Sequence, residues 1–246
     1  MLEGLYSAAA GMAAQQQHMD AVANDLANVD TTGYKSLRTG FRDLLYTQAG
    51  KAAGTGVDVG AGAAATQLGR SLQQGSLQNT GRMLDVAISG NGFFQVRLPN
   101  GSTALTRDGN FHLDRNGRLV NSSGARVLPA ITAPAGTSED DVSIASDGTV
   151  TAAGKQLGRI RLYTVRSPEG LAPSGSNLFT ATAASGAVRP VAGNTTTLQQ
   201  GYLEGSNVDM ADVMVGMMDA QRGFEMASKA IQMQDEMAGI ANGVKQ

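Results

Sequence analysis

Read only for where its apolar residues fall, the chain changes period twice. Over residues 1–35, Leu5, Met12, Met19 and Leu26 recur every seven positions. Ala8, Val22 and Val29 follow three positions behind, and Gln15 is the one polar member of that second row. On a helix of 3.6 residues per turn both rows fall on one narrow seam. At the other end, Met210, Met217, Phe224, Ile231 and Ala238 also recur every seven residues. Val213, Ala220, Ala227 and Ala241 stand at the three-residue offset, again with one polar member, Gln234. The pattern predicts a helix at each terminus. A seam this narrow buries little alone, and isolated helices draw most of their stability from packing. Each helix therefore needs a partner stripe. The pattern leaves two solutions open: a coiled coil or helical layer joining the two ends, or two amphipathic helices on a globular core.

Between the helices the period drops to two. The segments 85–88, 93–98, 103–106, 111–113, 118–121, 142–145, 149–152, 158–165 and 178–181 read as short strands, with 198–203 as a last strand returning toward the second helix. Asn91-Gly92, Asn100-Gly101, Asp108-Gly109, Asn116-Gly117 and Asp147-Gly148 punctuate them, dipeptides suited to turns that need φ > 0. Many short strands at such spacing predict an antiparallel β domain, sandwich or barrel-like. Ser206, Asn207 and Asp209 offer N-cap chemistry to a helix starting near residue 208.

Residues 36–83 fit neither period. Leu37, Phe41, Leu44, Leu45 and Tyr46 are spaced for a short helical or irregular packed segment. Residues 49–65 are almost all Gly, Ala, Thr and Val, and the expectation there is an extended or mobile linker with a strand near 55–59. The division expected is an N-terminal helical arm (1–35), an extended Gly-rich linker (36–83), the β domain (84–191), a return strand or linker (192–207) and a C-terminal helical arm (208–246). The fold class is α+β, an antiparallel all-β domain inserted between two heptad helices.

Composition narrows the chemistry. Glycine supplies 32 of 246 residues and tryptophan none, so the core is light and rich in turns. A net charge of −2 gives no reason to expect nucleic acid, and the absence of cysteine excludes disulfides and thiolate metal sites. No run of 18 or more apolar residues is present, and the N-terminus lacks the basic and apolar regions of a cleaved secretory signal. Gly54, Gly56, Gly60 and Gly62 do not match a phosphate loop. The run Glu139-Asp140-Asp141 lacks the alternating ligands of a calcium loop and reads as solvated. Asp108 and Asp114 could face each other as an acid/base pair, but both stand where Asp serves turns. His18 and His112 lie far apart, and no serine has a nucleophile-elbow context. No catalytic residue, metal, cofactor or small-molecule substrate is expected. The methionines at 210, 214, 217, 218, 226, 233 and 237 spread over several faces of their helix, which suits a helix surrounded by neighbours.

Residues 23–35, ANDLANVDTTGYK, resemble the N-terminal signature of the bacterial flagellar rod and hook proteins, carried by Asn24, Leu26, Ala27, Asn28, Thr32, Gly33, Tyr34 and Lys35. Residues 41–46 (FRDLLY), 54–57, 85–88, 92–96, 106–111, 200–208 and 221–226 are similar to the same family, most to its distal-rod type, with the proximal-rod type as the alternative. The resemblance implies a structural subunit of the flagellar basal body that assembles into a helical homopolymer through its terminal helices. Leu5, Met12, Met19, Leu26, Met210, Met217, Phe224 and Ile231 would then form the assembly seam. It further implies neighbouring rod and hook proteins as partners, and passage through the flagellar export apparatus without a cleaved signal. A different class, a β-domain carbohydrate binder or enzyme with helical arms, would require converging titratable groups that the sequence does not bring together.

Overall fold

The computed structural model describes residues 2–44, 46–49, 57–134, 136–191 and 196–243. They form two units. The first comprises Met1–Ala27, Leu37–Leu68 and Asp209–Gln246, and the second comprises Asn28–Ser36 and Gly69–Val208.

In the first unit, α1 (Leu2–Ala27) packs against α2 (Met210–Gly243), a helix of roughly 51 Å at 1.5 Å per residue. Asp209 starts α2: its carboxylate accepts the N–H groups of Ala211 at 2.8 Å and Asp212 at 3.4 Å, satisfying donors that a helix start leaves unpaired. The pairing is antiparallel, because Gly4 meets Gln234, Gln15 meets Gly223 and Val22 meets Gly216.

α1 has a second stripe, at spacings of three and four, that holds a β ribbon. Ala14 and Ala21 on it are buried. His18 Nδ1 lies 2.8 Å from the Thr39 hydroxyl, and its ring packs edge-on to Phe41 at 5.6 Å. The Asp25 carboxylate accepts the Leu37 N–H with both oxygens, at 3.0 and 3.2 Å. The ribbon is β1 (Leu37–Asp43) paired with β4 (Ala63–Arg70), and between them β2 (Tyr46–Ala49) pairs antiparallel with β3 (Val57–Gly60). Gly62, at φ +96°, brings the ribbon backbone so close to α1 that an added Cβ would stand 3.0 Å from Ala10 Cβ and Ser7 O.

This corrects one expectation. The described residues of 36–48 form strands rather than a short helical or irregular segment: strand pairing and the bond from Asp25 override a local spacing that suited a helix. In the stretch expected to be extended or mobile with a strand near 55–59, Val57–Gly60 is a strand and Ala63–Arg70 begins another; residues 50–56 lie outside the described residues. The boundaries also differ, since residues 37–68 belong with the helices and 28–36 with the β unit.

In the second unit a nine-stranded sheet is centred on Phe93–Arg97, which pairs antiparallel with Thr103–Thr106, Arg126–Leu128 and Leu162–Thr164. Strand alternation divides its residues. Phe94 and Val96 join Leu84, Val86, Ile88 and Phe111 in the main core, with Phe94 and Phe111 edge-on at 5.1 Å. Phe93 turns the other way, into a smaller cluster with Leu105, Val165 and Phe179. A separate three-stranded sheet (Val142–Ile144, Thr149–Ala152, Lys155–Arg159) lends Val142, Ile144, Val150 and Ala152 to the main core.

Most expected strands are present, with three differences. The segment 158–165 is broken into Lys155–Arg159 and Leu162–Thr164, and 198–203 is broken at Gly201, φ +79°, into Thr197–Gln200 and Tyr202–Glu204. The strands Leu77–Asn79, Arg126–Leu128, Ala172–Pro173 and Arg189–Pro190 carry no pattern strong enough to read. Gly92, Gly101, Gly117 and Gly148 adopt positive φ, but Gly109 does not. Its lack of a side chain serves instead to admit the Val86 carbonyl, which a Cβ would strike.

Candidate assembly surface

The two rows singled out in the sequence meet different fates. Leu5, Met12, Met19 and Leu26 on α1 are half-buried, as are Met217 and Ile231 on α2, in a helix pair closed within one chain. Phe224 is 37% exposed and Met210 48% exposed, so neither is an enclosed anchor. Among the described residues of that helix, Ala220 is the buried one. The side chains of Ala238 and Ala241 lie outside the described residues.

The opposite side of α2 stays open. Met214, Met218, Met226, Met233, Met237 and Ile240 are exposed, Met226 and Ile240 by about two thirds, at 67% and 68%. From Met218 onward these residues recur at sums of three and four, with Arg222 and Lys229 filling the gaps, so they form one stripe along the helix. Methionine suits such a surface, since its unbranched, polarizable chain adapts to an irregular partner. The outer side of α1 differs: Tyr6, Ala9, Ala13, Gln16, Asp20, Ala23 and Ala27 are exposed, so it is small and polar apart from the tyrosine.

The family-type signature ends α1 with residues 23–27, and from Asn28 on it belongs to the second unit. Its Asn28 carbonyl accepts the Thr31 N–H at 3.1 Å, closing a turn after α1. Asn24 and Ala27 are exposed on the last helical turns. Thr32 donates its hydroxyl to Asp108 at 3.1 Å, and its carbonyl accepts the Asn177 amide at 2.7 Å. Gly33, φ +67°, donates its N–H to the Glu204 carbonyl at 2.7 Å. A side chain there would stand 2.7 Å from the Asp108 nitrogen, so both conformation and space require glycine. Tyr34 is buried under the Arg70 guanidinium, 5.1 Å from its ring centre.

Lys35 then enters a fully buried charge cluster. Its ammonium donates to Glu204 at 2.5 Å and to the Gln73 carbonyl at 2.7 Å. Glu204 also accepts Arg107 at 3.0 Å and the Gly75 N–H at 3.0 Å, and Arg107 donates to the Gly90 carbonyl at 2.9 Å. Burial holds the Lys35 pKa below its ordinary value, against the opposing pull of Glu204, while nearby Arg107 adds to the lowering. Sequence reading missed Glu204 and Arg107, because the partners of Lys35 lie 169 and 72 positions away; the only available signal was that each stands in a segment similar to the family.

The carboxylates considered for chemistry are engaged in structure. Asp108 is buried; desolvation raises its pKa, opposed by bonds from Asn110 and Thr32. Asp114 is half-buried and accepts the N–H groups of Arg118 and Asn116, which lower its pKa. Each carboxylate thus serves its own turn. Glu139–Asp141 form a short, exposed 3-10 turn. A groove of about 330 Å³ in the second unit is lined by Asp147, Arg159 and Arg161. Its Asp147 is held ionised by the Thr149 N–H and hydroxyl and receives Arg159, a turn carboxylate rather than a proton donor.

Comparison with known proteins gives one consistent result. Residues 5–35 match the family described as "Flagella basal body rod protein". Residues 87–152 match "Flagellar hook protein FlgE/F/G D1 domain", and 199–244 match "Flagellar basal body rod FlgEFG protein C-terminal". The chain is 42% identical to the flagellar basal-body rod protein FlgG of Borreliella burgdorferi, over 100% of this chain and 99% of that one. It is 38% identical to FlgG of Bacillus subtilis, covering 96% and 97%. To the flagellar hook-basal body complex protein FlhP of the same bacterium it is 32% identical over 100% of both chains.

Proposed function

The chain belongs to the flagellar basal-body rod protein family, of the FlgG distal-rod type, and on that premise we propose how its helices build the rod. It is a structural subunit of the basal-body rod and works with neighbouring flagellar components. The α1–α2 pair is the preassembled unit, and the exposed methionine stripe of α2 is the surface that packs against other copies of the chain. The observation that carries this reading is the stripe itself: six large apolar side chains lie open along one helix whose opposite side is already used. Fully burying one such side chain stabilises by about 1.5–3 kcal/mol. A polymer repeats the gain in every subunit.

The heptad residues Leu5, Met12, Met19, Leu26, Met217 and Ile231 then act indirectly, by holding α1 and α2 in the shape that presents the stripe. Phe224 and Met210, at the margins, contribute to both sides. Hook-type proteins at the end of the rod and the flagellar export apparatus are further partners of this reading. The protein reaches the cell envelope through that apparatus.

The test is a double substitution, Met226→Glu with Met233→Glu, in the full chain. Both side chains are already more than half exposed, so the monomer should keep its melting temperature within about 1–2 °C, as surface changes within about 0.5 kcal/mol do. Electron microscopy of concentrated protein should show tubes for the parent and none for the variant. Tubes of unchanged length from the variant would refute the assignment of the stripe.

A further inference from the structure

We propose that Gln15 and Gln234, each seated over a glycine of the opposite helix, set the register in which α1 and α2 pair. These are the only polar members of the two offset rows, and in sequence they look like defects. The structure places Gln15 against Gly223 and Gln234 against Gly4. A Cβ on Gly223 would stand 2.8 Å from Gln15 Cδ, and one on Gly4 would strike the Gln234 amide. Both pairs, and the neighbouring Val22 with Gly216, obey one antiparallel register: their residue numbers each total 238.

The apolar rows do not choose that register. Slid by seven residues, each member of the Leu5, Met12, Met19, Leu26 row meets the next member of the Met210, Met217, Phe224, Ile231 row, because both rows repeat every seven positions. Every pairing stays apolar, with flexible side chains that repack readily. A heptad seam of this composition is degenerate, and a single polar position within such a seam is a known means of fixing register. Here the device is a long amide over an empty backbone notch. Gly4 has a second notch seven residues on, Gly11, where a Cβ would meet nothing within 4 Å; Gly223 has Gly216 seven residues before it. In the native register both glutamines find a glycine. Slid one heptad so that residue numbers total 245, Gln234 finds Gly11 but Gln15 meets Ala230. Slid the other way, Gln15 finds Gly216 but Gln234 passes beyond the N-terminus of α1. Only one register seats both.

Because the chain has no cysteine, paired cysteines report register directly. Ala8→Cys with Ala230→Cys reads the native register, and Ala8→Cys with Met237→Cys reads the slipped one. A heptad slip moves the reporters by about 10.5 Å, which a short thiol crosslinker resolves. In the full-length monomer the 8/230 product should dominate. With both notches filled, by Gly4→Leu and Gly223→Leu, the dominant product should shift to 8/237, since Gly11 remains open to Gln234. An unchanged preference for 8/230 overturns the proposal. If the filled variant gives neither product, an exchange variant decides: Gln15→Gly with Gly223→Gln, plus Gln234→Gly with Gly4→Gln, in which each amide again faces a glycine from the other side. Recovery of 8/230 in that variant supports the proposal, and failure to recover it overturns it. A merely structural role for the glutamines would change the amount of helix pairing and leave its register alone.

Discussion

Glu204→Gln should be the most damaging conservative change in the second unit. Glu204 is the one anion among three fully buried charged side chains in contact, Lys35 and Arg107 being the others. The substitution keeps shape and one carbonyl acceptor, so the Gly75 N–H can stay bonded. It leaves two cations buried with no anion in contact. Breaking a buried pair by removing one partner costs about 3–5 kcal/mol, mostly the price of the stranded charge. Lys35→Met should cost far less. It removes the charge-assisted bond to Glu204, worth about 1.5–3 kcal/mol, but also removes the desolvation of an ammonium, and the pair Arg107–Glu204 stays neutral overall. The depressed Lys35 pKa says that burial already outweighs what Glu204 returns to it. Urea titration of the full chain, followed by Tyr34 and the other tyrosines, should give a large drop in midpoint for Glu204→Gln and a small one for Lys35→Met, with m unchanged. Equal effects, or a Glu204→Gln cost below about 1 kcal/mol, would refute the charge argument.

Four other outcomes follow from the geometry. Asp108→Asn should remove a downward component from the stability–pH curve: the folded state holds that proton above the ordinary 3.8, so this group's contribution falls as pH rises from 3.8 through the raised value, and the amide abolishes that fall. A slope that survives in pH-dependent unfolding would assign it elsewhere. Gly33→Ala should lower the unfolding free energy from urea titration by about 1–2 kcal/mol for its positive φ, with more for the contact at Asp108. Asp25→Ala should loosen the ribbon without unfolding the β unit, seen as faster hydrogen exchange at the Leu37 N–H, and equal rates would deny the bond its role. Phe224→Asp should weaken tube formation yet leave the monomer folded, because the ring is already 37% exposed; a collapsed melting temperature would place it in the core.

How much of this was legible in the sequence depends on distance along the chain. Period-two alternation found Phe93–Arg97 and its neighbours because their burial depends on immediate neighbours. The heptads found both helices for the same reason. The strand Leu37–Asp43 was misread because it is held from α1, by His18 on Thr39 and Phe41 and by Asp25 on the Leu37 N–H, and its sequence LRTGFRD shows no alternation of its own. The charge cluster was invisible because Lys35, Arg107 and Glu204 are far apart in the chain, and only folding makes them one object. Gln15 and Gln234 were visible, but as breaks in a pattern; that each stands over a glycine is a property of the pair. The same heptads could not say whether the seam lies within one chain or between chains, since both bury an identical stripe.

That last distinction is settled most directly by a density map of tubes assembled from the purified chain, at a resolution that traces helices and large side chains. In the expected map α1 pairs with α2 of the same subunit, Gln15 over Gly223, and Met226, Met233 and Met237 are buried against neighbouring copies. A map in which α1 pairs with another subunit's α2, or in which the methionine stripe contacts no other copy, would contradict it.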